Sequence, residues 1–194
     1  MADQKISQMP AASTLTGAEL VPLVQDGLNV QSTLGNVKAF NNTYIAVSSD
    51  QDQTGNVSTG TVMTFSTVDI QDSITLVSGS RITVPNTGVY NLQFSAQLVN
   101  TDNEQHNVKI WFRINGSDVT NSATDITIPA RKTNNIYGYG VAAWNIFLSL
   151  TAGQYVELVW LPSSTLVTLE HVPLSASPAV PAIPSIIATM NQVA

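Results

Sequence analysis

Val89-Tyr90-Asn91-Leu92-Gln93-Phe94-Ser95-Ala96-Gln97-Leu98 is the stretch that decides the fold class. Tyr90, Leu92, Phe94, Ala96 and Leu98 share one parity, and Asn91, Gln93, Ser95 and Gln97 share the other. Successive side chains of a strand point to opposite faces, so the segment predicts a half-buried strand with an apolar inner stripe. The same pattern returns at Val108–Asn115, with Val108, Ile110, Phe112 and Ile114 inward and Lys109, Trp111 and Arg113 outward. Further strand-like runs fall at Val62–Phe65, Ile74–Val77, Ile82–Val84, Ile126–Ile128, Trp144–Leu150, Tyr155–Leu161, Leu166–Val172 and Ile186–Val193. Between them lie turn sequences such as Pro85-Asn86-Thr87-Gly88, Asn115-Gly116, Thr151-Ala152-Gly153 and Pro162-Ser163-Ser164. No long run carries a helical period, so roughly eight to ten short strands predict an all-β, two-sheet sandwich or jelly roll.

The composition agrees. Of 194 residues only 10% are charged, whereas Thr, Ser, Asn and Gln together number 68. Hydroxyls and amides suit exposed strand faces and turns, where helical surfaces would favour Glu, Lys and Arg. The net charge of −6, with no basic cluster, argues against nucleic acid as a partner. No apolar run approaches the roughly 20 residues that span a bilayer as a helix. Met1–Pro10 lacks the basic start and apolar stretch of a secretory signal. The absence of cysteine removes disulfides, thiolate metal sites and thiol nucleophiles, and fits synthesis in a reducing cytoplasm.

Three zones follow. Residues 1–40 hold short apolar clusters broken by Pro and Gly, and the Asp26-Gly27 pair between Leu23-Val24 and Leu28-Asn29-Val30 signals a hairpin. Thr33–Phe40 has room for one or two helical turns. Forty residues of this kind cannot bury a core of their own, so the zone reads as an extended N-terminal arm. Residues 41–61 are polar and read as a linker or a loosely held first strand. Residues 62–194 form the β domain. Within it Pro178, Pro181 and Pro184 recur every third residue, which predicts a stiff, extended polyproline II stretch.

Catalytic and metal motifs are scarce. His106 in Asp102-Asn103-Glu104-Gln105-His106 has two acidic neighbours but no third or fourth ligand, and reads as part of a solvated loop. His171 reads as a packed or interface histidine. No serine lies in G-x-S-x-G, and neither histidine nor any acidic residue is suggestively placed beside one. Asp50 with Asp52, and Asp69 with Asp72, read as solvated carboxylates rather than a glycosidase pair. Gly138-Tyr139-Gly140 with Ala143 opens no βαβ helix and is no phosphate loop. The sequons at Asn41, Asn56 and Asn115 arise readily by chance in a chain so rich in Asn, Ser and Thr. The sequence therefore predicts no enzyme, no cofactor and no metal site. Surface residues remain: Trp111, between two cations on the outward parity, and the Tyr137 and Tyr139 pair in Asn134–Gly140, a mix typical of adaptable binding loops. Together with Tyr155 they are the candidate subunit interface or ligand surface.

Two resemblances sharpen this. Lys5-Ile6-Ser7-Gln8-Met9-Pro10, followed by Leu15-Thr16-Gly17-Ala18-Glu19-Leu20-Val21-Pro22-Leu23-Val24-Gln25-Asp26-Gly27, resembles a leader on structural proteins of tailed-bacteriophage virions, with Met9 in place of the usual Leu. Pro85-x-x-Gly88-Val89-Tyr90-x-Leu92-x-Phe94, then Leu150-x-Ala152-Gly153-Gln154-Tyr155-Val156-x-Leu158, resembles the C1q/TNF-like jelly roll, with Gln154 where Asp is common. The first implies a protein of the virion surface, attached through its arm by Ile6, Leu15, Leu20, Val21, Leu23 and Val24. The second implies a homotrimer. Together they lead to a trimeric capsid decoration or cement protein seated on the major capsid protein. The alternative is a tail-fibre tip, held by tail proteins and binding host-surface glycan through Trp111 or the Tyr137–Tyr139 loop.

Overall fold

The computed structural model describes residues 14–40 and 43–194, in two compact units that divide between Asn42 and Thr43. Among the described residues no helix is long and apolar enough to cross a membrane.

The first unit contains β1 (Leu20–Gln25), β2 (Leu28–Thr33) and α1 (Leu34–Phe40). β1 and β2 pair antiparallel with Gln25 opposite Leu28, which leaves Asp26-Gly27 as a two-residue loop. Both loop residues are left-handed, at φ 51° and 77°. That is the backbone of the hairpin turn whose twist matches its strands, and Asp-Gly is among the few pairs that adopt it cheaply.

The second unit carries sixteen further strands in chain order. They are β3 (Tyr44–Ser49), β4 (Gln53–Thr54), β5 (Thr61–Val62), β6 (Thr67–Asp72), β7 (Thr75–Val77), β8 (Arg81–Thr83), β9 (Gly88–Asn100) and β10 (His106–Ile114). Then come β11 (Ser117–Asp118), β12 (Thr124–Ile128), β13 (Gly138–Leu150), β14 (Tyr155–Pro162), β15 (Val167–Leu169), β16 (Ser175–Ala176), β17 (Ala179–Val180) and β18 (Ile186–Gln192). Two antiparallel sheets account for most of them. One runs β11-β10-β14-β8-β7, with β12 also on β10 and β5 also on β14. The other runs β4-β15-β9-β18-β3-β6, with β13 along the free side of β9.

The sheets pack face to face. Tyr90, Leu92, Phe94, Ala96 and Leu98 of β9 are buried, as the alternation predicts, and so are Val108, Ile110 and Phe112 of β10. Phe94 meets Phe112 of the opposite sheet edge-on, with ring centroids 5.9 Å apart, and Trp144 of β13 packs on Phe94 at 4.5 Å. Ile186, Ala188 and Met190 of β18 extend the same core, alongside Ile45 and Val47 of β3. The chain is thus all-β, with a sandwich core between two antiparallel sheets.

The structure departs from the sequence expectation at four places. Within 41–61, β3 is neither linker nor loose strand: it lies hydrogen-bonded between β18 and β6, with Ile45, Val47 and Ser49 buried. Its apolar alternation spans only Ile45 and Val47 before the serines begin, too short to stand out from a polar context. The expected strand at Val62–Phe65 shortens to Thr61–Val62, while Met63 and Phe65 enter the core from a crossing segment. The Asn134–Gly140 loop ends early, because β13 begins at Gly138 and pairs with β9 over thirteen residues. Gly138 and Gly140 weaken the strand signal but are required there: a Cβ at Gly138 would run into the Pro129 carbonyl, and one at Gly140 into Ile128 Cδ1. Finally, 173–184 is no polyproline rod. β16 and β17 fold back on each other, and Val172 and Ile183 exchange both backbone hydrogen bonds at 2.9 and 2.8 Å. Prolines three apart still leave Ala179 and Val180 free to pair with Ala176 and Ser175.

Candidate functional site

The arm's local structure explains its motif. The Glu19 carboxylate accepts the Thr16 N–H and hydroxyl on Oε1, both at 2.8 Å, and the Gly17 N–H on Oε2 at 2.8 Å. These donors, led by the Thr16 N–H, pull the Glu19 pKa down to about 2. The Gly35 N–H reaches the Gly17 carbonyl at 2.7 Å and Leu34 N–H the Glu19 carbonyl at 2.8 Å, which ties the start of α1 to the Thr16–Glu19 turn. A Cβ at Gly35 would meet the Gly17 oxygen at 2.9 Å, so Gly35 belongs to the motif although it lies outside the leader pattern. Of the expected attachment residues, Leu15, Leu20, Leu23 and Val24 are exposed, Val24 at 72%, and Val21 is half-buried. Leu28, at 68%, joins them. Ile6 lies outside the described residues. Among its described residues, hydrogen bonds tie the turn to the helix while Leu15, Leu20, Leu23, Val24 and Leu28 stay exposed.

In the second unit the four aromatic candidates do not converge. Trp111 is half-buried on the outer face of the β10–β14 sheet; its indole N–H donates to Asp118 Oδ1 at 2.7 Å and Arg113 Nε–H donates to the same oxygen at 2.9 Å. These two bonds, the indole's first, hold the Asp118 carboxyl below the usual carboxylate range. Gly60 lies against the indole ring and Val159, where any Cβ would collide with both. Trp111 is therefore covered by the segment that precedes β5. Tyr155 is also half-buried on that sheet, with the Arg81 guanidinium 4.7 Å from its ring centre. Arg81 pairs in turn with the buried Glu157 at 3.3 Å. Tyr139 lies on the other sheet and is 60% exposed, next to the half-buried Tyr137.

That second sheet presents a different kind of surface. β3, β9, β13 and β18 contain no Asp, Glu, Lys, Arg or His. Across their outward positions the register aligns Asn145, Gln93, Thr189 and Ala46 in one row, and Phe147, Asn91, Asn191 and Tyr44 in the next. Shallow grooves flank Gln93, one toward Ile187 and Thr189, the other toward Ala143 and Asn145. Tyr139, Val141 and Phe147 stand exposed along β13, which among the described residues pairs with β9 alone.

One constellation escaped the sequence reading. Asp102 Oδ2 lies 2.8 Å from His106 Nε2, and Ser163 Oγ lies 3.3 Å from His106 Nδ1. The serine is 57 residues from the histidine, and only the pairing of β10 with β14, Val108 opposite Pro162, brings them together. The bond from His106, the Asn103 N–H and the nearby charges hold Asp102 below the ordinary carboxylate range. Among the described residues no group of three or more His, Asp or Glu is arranged to hold a metal ion. Each of the remaining paired carboxylates has its own partner: Asp50 accepts from Gln51 and Ser66, Asp69 from Ser48, Asp72 from Ser73, and Asp52 from the His171 N–H at 2.7 Å.

No protein-family model matches the chain, and no curated protein sequence matches it.

Proposed function

We propose that the chain is a structural protein of a tailed-bacteriophage virion, a homotrimeric capsid decoration protein anchored by its N-terminal arm. The sandwich would be a jelly roll of the C1q/TNF-like kind. The observation that carries the reading is the arm: a motif-locked hairpin with Leu20, Val24 and Leu28 more than half exposed. A two-stranded hairpin is marginal in water alone, and an apolar one gains most by burial on a partner. The major capsid protein is the partner proposed, and three arms on one trimer would multiply individually weak contacts. The uncharged outer face of β13, β9, β18 and β3 supports the trimer, because amides and hydroxyls can pair across a copy without stranding a charge. The glycan-binding tail tip draws less support, since Trp111 already has Asp118 and Gly60 against it.

Immunogold labelling of virions tests the location. Label over the head is expected, and its loss with Leu20→Asp plus Val24→Asp, in a chain that stays folded, identifies the arm as the anchor. Label confined to the tail overturns the decoration reading.

A further inference from the structure

We propose that Asp102, His106 and Ser163 form a nucleophilic relay that hydrolyses short-chain carboxylic esters, an activity independent of attachment. The relay has a consistent proton order. An ionised Asp102 accepts the Nε2–H of His106 at 2.8 Å, which fixes the neutral tautomer with a bare Nδ1. The Ser163 hydroxyl then donates to Nδ1 at 3.3 Å, a length that catalytic bonds often show before substrate binds. The Asn107 N–H donates to Ser163 Oγ at 3.0 Å and fixes where that oxygen sits. The Asn107 amide oxygen in turn accepts the Thr127 hydroxyl at 3.2 Å, which ties this residue to β12. Exposure is graded as a nucleophile needs: the His106 side chain is 15% exposed, while Ser163 is open to solvent. An open seryl oxygen suits a small acyl group presented on a larger molecule.

In the first step Oγ bonds to the ester carbonyl carbon and its proton passes to Nδ1. The carbon–oxygen bond to the alcohol then breaks, and the alcohol leaves with that proton. Water attacks the acyl-serine, gives a proton to Nδ1, and the acid departs as Oγ takes the proton back. Water is the only co-reactant. The charged groups around the imidazole are Asp102 in contact, with Glu104 and Arg131 on the adjoining loops; residues 161–166 carry none.

The test uses the full chain with a fluorophosphonate probe and 4-nitrophenyl acetate. One adduct on Ser163 is expected, together with turnover of the acetate ester. Ser163→Ala should abolish both, and Asp102→Asn should lower turnover by about 10²-fold or more. Because Asp102→Asn can also loosen its loop, a second measurement uses Ser163→Cys, the sole thiol in a chain without cysteine. Its alkylation should titrate below about 7.5, against about 8.5 for a free thiol, and return upward when His106→Ala is added. Native protein that takes no adduct at Ser163, turnover that survives Ser163→Ala, or a thiol that titrates near 8.5 with His106 present would each overturn the relay.

Discussion

Behind one shared core, the two sheets of the sandwich turn opposite surfaces outward. The β10–β14 sheet carries ions: Lys109 pairs with Asp125, Arg113 with Asp118 and Arg81 with Glu157. It is also partly roofed, since Val159 and Glu157 are buried on its outward parity and Gly60 lies over Trp111. Strands β13, β9, β18 and β3 carry no ion at all, yet Val141, Phe147 and Ile187 stand exposed there. The two faces answer different demands. Ion pairs tolerate water and are worth little when exposed, but are costly to desolvate against a partner. Amide and hydroxyl rows beside apolar side chains tolerate desolvation, so this face is the one suited to a second copy of the chain.

The largest effect should come from the core that both faces share. Phe94→Ala removes the ring that meets Phe112 and Trp144, and is expected to cost about 3–5 kcal/mol in urea unfolding. A cost below 1 kcal/mol would mean that the sheets are not packed across this contact. Gln93→Lys sets a charge between the two grooves, and should weaken self-association by several kcal/mol, on the order of 10²–10³ in the association constant. Lys109→Glu on the opposite sheet should leave it unchanged. Light scattering after size exclusion reads both, and a chain already monomeric without substitution would break the assignment of the face.

The contrast was half legible in the sequence. The β9 and β10 alternations gave both inner stripes correctly, because each places four or more apolar residues at strict period two. Asp26-Gly27 marks its hairpin and Asn115-Gly116 its turn for a chemical reason, and both pairs are left-handed in the structure. The outward parity of Trp111 holds in the structure, but its cover has no local signal: Gly60 and Asp118 reach it through tertiary pairing and a short hairpin. Tyr139 looked like part of a loop because glycines on either side suppress strand propensity, and the close approach of Pro129 and Ile128 that demands them is long-range. The Asp102–His106–Ser163 grouping was hidden for the same reason, as no motif spans the distance from β10 to the end of β14.

A smaller effect sharpens the ion-paired side. Arg81→Ala leaves the Glu157 carboxylate, whose side chain is 8% exposed, with the Ser80 hydroxyl as its remaining partner. The expected loss is about 1–2 kcal/mol, below the range for fully buried pairs because Arg81 itself is nearly half exposed. Glu157→Gln in the same background should recover part of it, since an amide costs less than a carboxylate to bury unpaired. Chemical denaturation of the two variants measures the difference. No recovery would mean that the stacking of Arg81 on Tyr155, rather than the charge pair, supplies the stability.

The smallest effect concerns whether Trp111 is engaged or available. Asp118 has a folded pKa lowered first by the Trp111 indole bond and then by Arg113. A depressed carboxylate contributes stability that is complete above its unfolded value of about 3.9 and fades as pH falls through the lower folded value. The 113–118 hairpin should therefore loosen only in acid below about pH 4, with little change in overall stability because Asp118 is largely exposed. The Trp111 indole N–H resonance should follow that titration, and Trp111→Phe should move the Asp118 midpoint upward while Arg113 keeps it below the ordinary value. An indole N–H that ignores pH down to 2 would mean that the bond to Asp118 does not hold in solution. Trp111 would then be free to stack on a sugar, and the two outer faces would differ less in availability than in charge.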